Sequence, residues 1–265
     1  ESSSNPKVKH LVRLRKSSRY RTETGLFIVE GKREVEAILS TGRTLEEIYF
    51  SESIKKERES SSMLRSLCEG LPSFELSEKA MNKVSYRSQT STIIGVAKIW
   101  NIEMKNFIES EVKFILVLDE VEKPGNLGAL LRTAEAMGVE AVLLSDSCVD
   151  FFNPNVIRSS SGLFASMPVF TGNKIDIYER AKKSNLEVVG TSSKASTSIY
   201  EYKFKSNIAL VMGSESKGLG EFWEKNSDSM ISIPMYGEAS SLNLNSATAC
   251  ILFEINRRKH LSKTS

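Results

Sequence analysis

The sequence predicts an α/β fold in which short apolar strands alternate with helices, and in which the second half of the chain forms a parallel sheet. Uninterrupted apolar runs are typical of strands that are buried on both faces of such a sheet. Five runs of this kind stand at residues 114–118, 141–144, 186–189, 208–212 and 230–233. Helical stretches lie between or after them at 126–137, 174–184, 219–226 and 242–258. This alternation predicts right-handed βαβ crossovers, with helices on both faces of the sheet.

The first half of the chain predicts a smaller α/β module. Strands are expected at 26–29, 48–50, near Phe74 and at 93–97, and helices at 31–40, 56–69 and from Ser77. Residues 101–112 are polar and contain no apolar run. We therefore predict a first domain at 1–103, a linker at 104–112 and a second domain at 113–265.

The composition excludes several classes of protein. Of the 265 residues, 40% are hydrophobic and 26% are charged, which argues against disorder. No apolar run approaches the roughly 18 residues of a membrane span, so no membrane role is expected. Three cysteines lie far apart without a CxxC pair, and only two histidines are present. This pattern disfavours a disulfide framework and a metal site, and it favours a reducing interior.

The start of the chain bears on its location in the cell. The sequence begins at Glu1 rather than Met, and it shows no secretory apolar region. We expect an intracellular protein, either cytoplasmic or, if a transit peptide has been removed, located in a plastid or mitochondrion.

Positive charge is concentrated near the start of the chain. The net charge is only +3, but residues 5–33 carry nine basic and two acidic side chains. Val8, Leu11 and Val12 follow a helical period, which places the basic side chains on the opposite face of a short helix. The candidate phosphate contacts on this face are Arg13, Arg15, Lys16 and Arg19. On charge alone, an ordinary solvated helix face explains them equally well.

Residues 119–138 follow the first strand of the second half, where open α/β sheets bind their ligands. After a Pro-Gly turn, Asn126 is a candidate N-cap of an amphipathic helix. Arg132 lies six residues further on, which we take as roughly the same side of that helix. Such a pair can hold a phosphate or a ribose. Taken alone, it is explained more simply as a cap and a surface charge.

Residues 213–220 form a glycine-rich loop after the strand at 208–212. Glycine lets a backbone approach a ligand closely, and the exposed amides of the loop can bind adenine or carboxylate groups. The loop lacks GxxxxGK[ST], and no strand is followed by GxGxxG, so triphosphate and dinucleotide sites are excluded. Glu215 is either a site carboxylate or an exposed loop acid.

Polar residues are dense where the last helix begins. They are Ser241, Asn243, Asn245 and Ser246, and they precede an apolar helix of small side chains. One of them can cap the helix while the others are solvated. Their number exceeds what one cap needs, which suggests a binding wall.

These three segments, in this order and spacing, resemble the SpoU family of RNA ribose 2′-O-methyltransferases, within the SPOUT superfamily. The matching residues are Asn126, Gly128 and Arg132, then Gly213, Glu215 and Gly218, then Ile233-Pro234 and Ser241-Leu242-Asn243. Asn153-Pro154 and the stretch from Arg158 to Gly162 are similar to the middle segment of the family. The resemblance covers residues 113–258. More weakly, the first half resembles a substrate-binding domain with a ribosomal-protein-like fold, most recognisably at residues 27–31.

The resemblance implies a SPOUT domain with a deep trefoil knot, a homodimer formed through that domain, and S-adenosyl-L-methionine as cofactor. The backbone of Met212, Gly213, Ile233 and Leu242 is expected to hold the cofactor. RNA is the expected partner, bound by residues 1–103 together with Arg158.

The resemblance also assigns catalytic roles. We expect Arg132 to fix the target phosphate and to stabilise developing negative charge, with a role as base left open. Ser241 and Asn243 would orient the ribose or the cofactor, Glu215 would hold Arg132 or the cofactor, and Asn126 completes the set. The implied reaction is methyl transfer to a ribose 2′-hydroxyl, in ribosomal RNA. The alternatives are a transfer RNA ribose methyltransferase, and a non-catalytic RNA-binding or assembly factor on the same fold.

Overall fold

The computed structural model of the chain describes residues 5–54, 70–86, 91–107 and 112–264. Two compact units divide it: residues 1–100 with 150–166, and residues 101–149 with 167–265. The division after residue 100 lies near the domain boundary that the sequence predicts at 103. Residues 108–111 of the predicted linker and the predicted helix 56–69 lie outside the described residues.

The described residues form the following elements. The helices are α1 (Pro6–Lys16), α2 (Ser18–Thr24), α3 (Lys32–Ser40), α4 (Glu78–Val84), α5 (Pro124–Ala136), α6 (Pro154–Ser159), α7 (Lys174–Lys183), α8 (Glu221–Asn226) and α9 (Leu244–Thr264). The strands are β1 (Leu26–Glu30), β2 (Leu45–Ser51), β3 (Ser73–Leu76), β4 (Ile93–Lys98), β5 (Phe114–Asp119), β6 (Ala141–Ser145), β7 (Val169–Gly172), β8 (Glu187–Thr191), β9 (Thr197–Ser198), β10 (Ile208–Met212) and β11 (Ser229–Ser232). Each helix in this part of the chain is too short or too polar to cross a lipid bilayer.

The first unit contains a four-stranded sheet in the order β1-β4-β2-β3. Strand β4 runs antiparallel to β1 and β2, whereas β2 and β3 are parallel. The four strands that the sequence predicts here are confirmed. Ser77 caps α4 as expected, because its hydroxyl accepts a hydrogen bond from the amide of Ala80 at 3.3 Å.

Helix α1 packs its apolar stripe into the core of the first unit. Val8, Leu11 and Leu14 are fully buried, and Val12 packs at the edge of the same cluster. The helix starts at Pro6, after Asn5, whose side chain accepts a hydrogen bond from the amide of Lys7 at 2.7 Å. The helix predicted from its apolar spacing is therefore confirmed.

Residues 150–166 belong to the first unit, although the sequence places them in the second predicted domain. Arg21 is 2% exposed, and its Nε donates to Oδ2 of Asp150 at 2.9 Å. Trp100 contacts Phe152 and Phe164 of this segment, with ring centres 4.8 and 6.1 Å apart. Arg21 is thus an internal cation, rather than a member of the exposed basic face. The pairing joins residues far apart in sequence, so no local pattern indicates it.

We expect Asp150→Ala to destabilise the first unit by about 3 kcal/mol, because it leaves the buried Arg21 without its carboxylate. Urea unfolding followed by circular dichroism measures the change. Glu23→Ala is the matched control, since it removes the partner of Arg19, whose side chain is 88% exposed. That exposed pair should contribute less than about 0.5 kcal/mol. Equal effects of the two variants would contradict the role given to Asp150.

The second unit contains a seven-stranded sheet in the order β7-β6-β5-β10-β8-β11-β9. All of its strand pairs are parallel, which confirms the predicted parallel α/β sheet. Helices α7 and α8 contribute Ile177 and Trp223 to a core with alternate residues of the central strands, such as Ile115 and Val117 of β5. The sequence analysis missed β7 and β9, because runs of four and two residues carry no clear periodicity.

Candidate functional site

A cavity of about 320 Å³ opens at the carboxyl ends of β8, β10 and β11 in the second unit. Ligands of open parallel sheets bind at this edge. The four residues expected to hold a cofactor all line it: Met212, Gly213, Ile233 and Leu242. Two of the expected catalytic residues, Glu215 and Ser241, line it as well. The second and third sequence segments therefore meet at one cavity, and their cofactor contacts stay a prediction.

The loop after β10 folds back on itself. The amide of Ser214 donates to the carbonyl of Gly218 at 3.1 Å, and the amide of Gly218 donates to the carbonyl of Ser214 at 3.0 Å. A Cβ atom on Gly213 would overlap the backbone of Gly218 and Leu219. Gly218 itself has a φ of +71°, a conformation that favours glycine. Both glycines are thus required by the shape of the cavity wall.

The sequence predicts Asn126 as a candidate N-cap, and this prediction is wrong. Helix α5 starts at Pro124 with Lys123 as its cap residue, and Asn126 lies in the first turn. The Asn126 side-chain amide donates to Oε1 of Glu215. The other carboxylate oxygen of Glu215 is buried and has no hydrogen-bond partner among the described residues. Asn126 thus links the first sequence segment to the cavity.

Arg132 is exposed on α5, and within the described ranges no residue forms a hydrogen bond or ion pair with it. Glu215 was expected to hold Arg132 or the cofactor; among the described residues it contacts Asn126 rather than Arg132, and its contact with the cofactor stays a prediction. The expectation that Asn126 and Arg132 share one side of the helix is wrong. At 3.6 residues per turn, six residues place them about 120° apart around the helix. The guanidinium of Arg132 is open to a ligand from solvent.

Ser241 and Asn243 differ in their contacts: Ser241 faces the cavity, whereas Asn243 caps a helix. Ser241 is exposed and lines the cavity. Asn243 precedes α9, and its Oδ1 accepts a hydrogen bond from the amide of Ser246 at 2.9 Å. Asn243 is therefore the helix cap, which is the simpler of the two interpretations that the sequence leaves open. The neighbouring Asn245 has a buried Oδ1 with no partner among the described residues.

The sequence analysis missed the part of the cavity wall that follows β8. Residues 191–194 line the cavity. The hydroxyl of Thr191 donates to the carbonyl of Val211 at 3.0 Å, which fixes this segment to β10. The signal was present, since these polar residues follow an apolar strand as the other two segments do.

Arg258 of helix α9 forms hydrogen bonds with the backbone of the segment that follows β9. Arg258 donates to the carbonyls of Tyr202 at 2.8 Å and Ile199 at 3.2 Å. Its Nε also donates to Glu254. Hydrogen bonds from Arg257 and Arg258 lower the pKa of Glu254 to about 2. Leu244, at the start of the same helix, lines the cavity.

The basic residues of the first unit fall into two groups. Arg13, Lys16 and Arg19 are exposed, although Arg13 lies over the ring of Tyr20 at 3.8 Å and Arg19 pairs with Glu23. The other two predicted RNA contacts are half-buried. Arg15 donates to the carbonyl of Ser85, and Arg158 donates to Oδ1 of Asn155 at 2.9 Å.

Comparison with known proteins gives two matches along the chain. Residues 113–253 match the model of the SpoU rRNA methylase family, and residues 5–95 match an MRM3-like substrate-binding domain. The chain belongs to the SpoU rRNA methylase family. This confirms the predicted family and, with it, the enzyme class of RNA 2′-O-ribose methyltransferases.

Individual relatives of this SpoU-family chain cover nearly its whole length. The 23S rRNA (guanosine(2553)-2′-O)-methyltransferase RlmP of Bacillus subtilis is 30% identical over 96% of this chain and 98% of its own. A crystal structure of an RNA 2′-O ribose methyltransferase is 31% identical, covers 98% of both chains and superposes with a TM-score of 0.84. An AdoMet-bound rRNA methyltransferase of Sinorhizobium meliloti is 26% identical over 97% of this chain and 96% of its own, with a TM-score of 0.85.

Proposed function

We propose that this chain transfers the methyl group of S-adenosyl-L-methionine to a ribose 2′-hydroxyl of large-subunit ribosomal RNA. The observation that carries the proposal is the cavity at the strand ends, which gathers all four residues expected to hold the cofactor. Family membership supports the reaction class, and the 23S rRNA methyltransferase activity of the Bacillus subtilis relative supports the RNA class.

The cavity suits S-adenosylmethionine in size and in lining. Its volume of about 320 Å³ lies in the range of small-molecule sites. Gly213 presents backbone without a side chain, while Leu219, Ile231 and Ile251 provide apolar surface. The unpartnered Oε2 of Glu215 is a ready hydrogen-bond acceptor at the same wall. When bound, the cofactor would supply a methyl group on a sulfonium sulfur: the ribose oxygen would attack the methyl carbon in line, the thioether S-adenosylhomocysteine would leave, and the hydroxyl proton would pass to a base or to water.

The residues of the chain must orient the ribose hydroxyl and stabilise the charge that develops on its oxygen. A ribose hydroxyl is a weak nucleophile at neutral pH, so its orientation and the charge that develops on it both matter. A protonated guanidinium suits the second task, and we assign it to Arg132, which also holds the target phosphate. The side-chain nitrogen of Asn126 donates to Glu215. The side-chain oxygen of Asn126 therefore remains available to accept a hydrogen bond from the ribose.

Three further features belong to this proposal through the family resemblance. We propose that the second unit contains the trefoil knot, that the chain forms a homodimer through it, and that the first unit recognises RNA. The match of residues 5–95 to a substrate-binding domain supports the last point. Light scattering would show twice the 29.5 kDa mass of the chain. A monomer at micromolar concentration would contradict the proposed dimer.

A non-catalytic RNA-binding factor on the same fold is the rival from another class. The intact wall around Gly213 and Glu215 favours the enzyme. Calorimetric titration with S-adenosylmethionine separates the two, because the enzyme should bind one cofactor per chain and a factor that has lost turnover need not bind any. Absence of binding heat at several temperatures would count against methyl transfer.

The exposed basic residues of the first unit allow a test of RNA binding. We expect the triple variant Arg13→Gln, Lys16→Gln, Arg19→Gln to flatten the slope of log affinity against log salt by roughly 0.7–0.9 per residue removed. Arg15 is left in place, because its guanidinium also donates to the carbonyl of Ser85, and its loss would disturb the fold as well as any RNA contact. Filter binding of protein-free ribosomal RNA at several salt concentrations measures the slope.

The matched control removes the same charge from the other unit, at the exposed residues Lys105, Lys203 and Lys225. It should change the salt slope less than the triple variant does. Equal slopes for both variants would show that the basic face of α1 and α2 is merely solvated.

A further inference from the structure

Tyr86 is an exposed aromatic residue beside two arginines of the first unit. The residue is 46% exposed. The guanidinium carbon of Arg158 lies 5.4 Å from the centre of the ring. Arg15, at the end of α1, donates to the carbonyl of Ser85, the residue that directly precedes Tyr86. Arg15 and Arg158 come from distant parts of the chain, and both therefore lie beside the segment that carries Tyr86.

The backbone of Tyr86 is fixed although its ring is open to solvent. Its amide donates to Oε2 of Glu30 at 2.7 Å, and the hydroxyl of Ser91 donates to the other oxygen of the same carboxylate. The amide of Ser85 donates to the carbonyl of Met81 at 2.8 Å, which joins the segment to α4. A ring on a fixed backbone loses little conformational freedom when a ligand stacks on it.

Tyr20 of the same unit is a useful comparison, because both its ring and its hydroxyl have partners. The guanidinium of Arg13 covers its ring at 3.8 Å, and its hydroxyl forms a hydrogen bond of 2.8 Å with His10. Among the described residues, the Tyr86 ring has only the more distant Arg158 beside it, and its hydroxyl has no hydrogen-bond partner. Tyr86 therefore has aromatic surface available for a ligand.

We propose that Tyr86 stacks on an unpaired base of the RNA substrate, with Arg15 and Arg158 placed for the flanking phosphates. Unpaired RNA bases are commonly bound by aromatic side chains next to arginine. This inference rests on the proposed function, and it adds the class of nucleotide that the first unit contacts. It also gives Glu30 a positioning role, through the backbone of Tyr86.

The test compares three variants of the full chain: Tyr86→Ala, Tyr86→Phe and the control Tyr200→Ala. Tyr200 is a similarly exposed tyrosine of the second unit. The readouts are affinity for a single-stranded oligoadenylate of about 12 nucleotides and KM for protein-free ribosomal RNA. Tyr86→Ala should weaken oligoadenylate binding and raise KM about tenfold, whereas Tyr86→Phe should stay within about threefold of wild type. The slope of log affinity against log salt should not change, because a stacked ring neutralises no phosphate.

Three results would overturn the inference: Tyr86→Ala behaving like Tyr200→Ala, Tyr86→Phe losing as much affinity as Tyr86→Ala, or a flattened salt slope in Tyr86→Ala. Thermal unfolding and cofactor titration of each variant verify that the fold is intact. If the wild type fails to methylate ribosomal RNA, the proposed function falls, and the oligoadenylate measurement still decides the role of Tyr86. If the wild type is active and Tyr86→Ala keeps its KM, only the stacking role falls.

Discussion

Arg132→Ala is expected to lower methyl transfer by at least about 100-fold, because preorganised charge at a developing oxyanion commonly contributes that much. Cofactor affinity should change by less than about tenfold, since Arg132 lies on α5 and the cavity is lined by residues that follow β8, β10 and β11. Single-turnover transfer of a labelled methyl group measures the first quantity, and calorimetry measures the second.

Two companion variants sharpen this result. Glu135→Ala removes another exposed charge from the same helix and should leave transfer unchanged. Arg132→Lys keeps the charge but loses the planar, forked donor, so transfer should be only partly restored. Transfer by Arg132→Ala above about 1% of the wild-type rate would contradict the assigned role.

Gly213→Ala is expected to weaken S-adenosylmethionine binding by more than about 100-fold, because the added methyl group overlaps backbone rather than a movable side chain. The loop that closes between Ser214 and Gly218 would have to open to make room. Calorimetric titration of the purified variant measures the loss, and methyl transfer should fall with it.

Gly220→Ala is the matched control in the same loop. Its Cβ would meet only Asp119, at an ordinary distance of 3.9 Å, and its φ of −74° suits any residue. Cofactor affinity should stay within about threefold of wild type. If Gly213→Ala binds the cofactor as well as Gly220→Ala does, the loop is not the cofactor wall.

Much of the second unit could be predicted because its signals are local. Five apolar runs marked five of its strands, and the segments that follow β10 and β11 line the cavity as expected. A single rule, that ligands bind beyond the carboxyl ends of parallel strands, identifies those segments as candidate binding sites. The same rule applied to β8 would have found residues 191–194 as well.

The rest depends on contacts between residues far apart in sequence. Arg21 looks like one more basic residue of an exposed helix, but it is buried against Asp150, and this pair helps to join residues 150–166 to the first unit. Asn126 fits the pattern of a helix cap, but the helix begins three residues earlier than that pattern implies. The side chain of Asn126 donates a hydrogen bond to Glu215 instead. Periodicity and capping rules locate helices without specifying the partners of their polar side chains.

The most direct test of the account is incubation of the full chain with methyl-labelled S-adenosyl-L-methionine and protein-free ribosomal RNA, followed by digestion and mass spectrometry of the nucleosides. Wild-type protein should place the label on a ribose 2′-oxygen of one nucleotide in the large-subunit RNA, whereas Arg132→Ala should place almost none. Label on a base, label in transfer RNA alone, or no label with protein that binds the cofactor would contradict the proposed reaction.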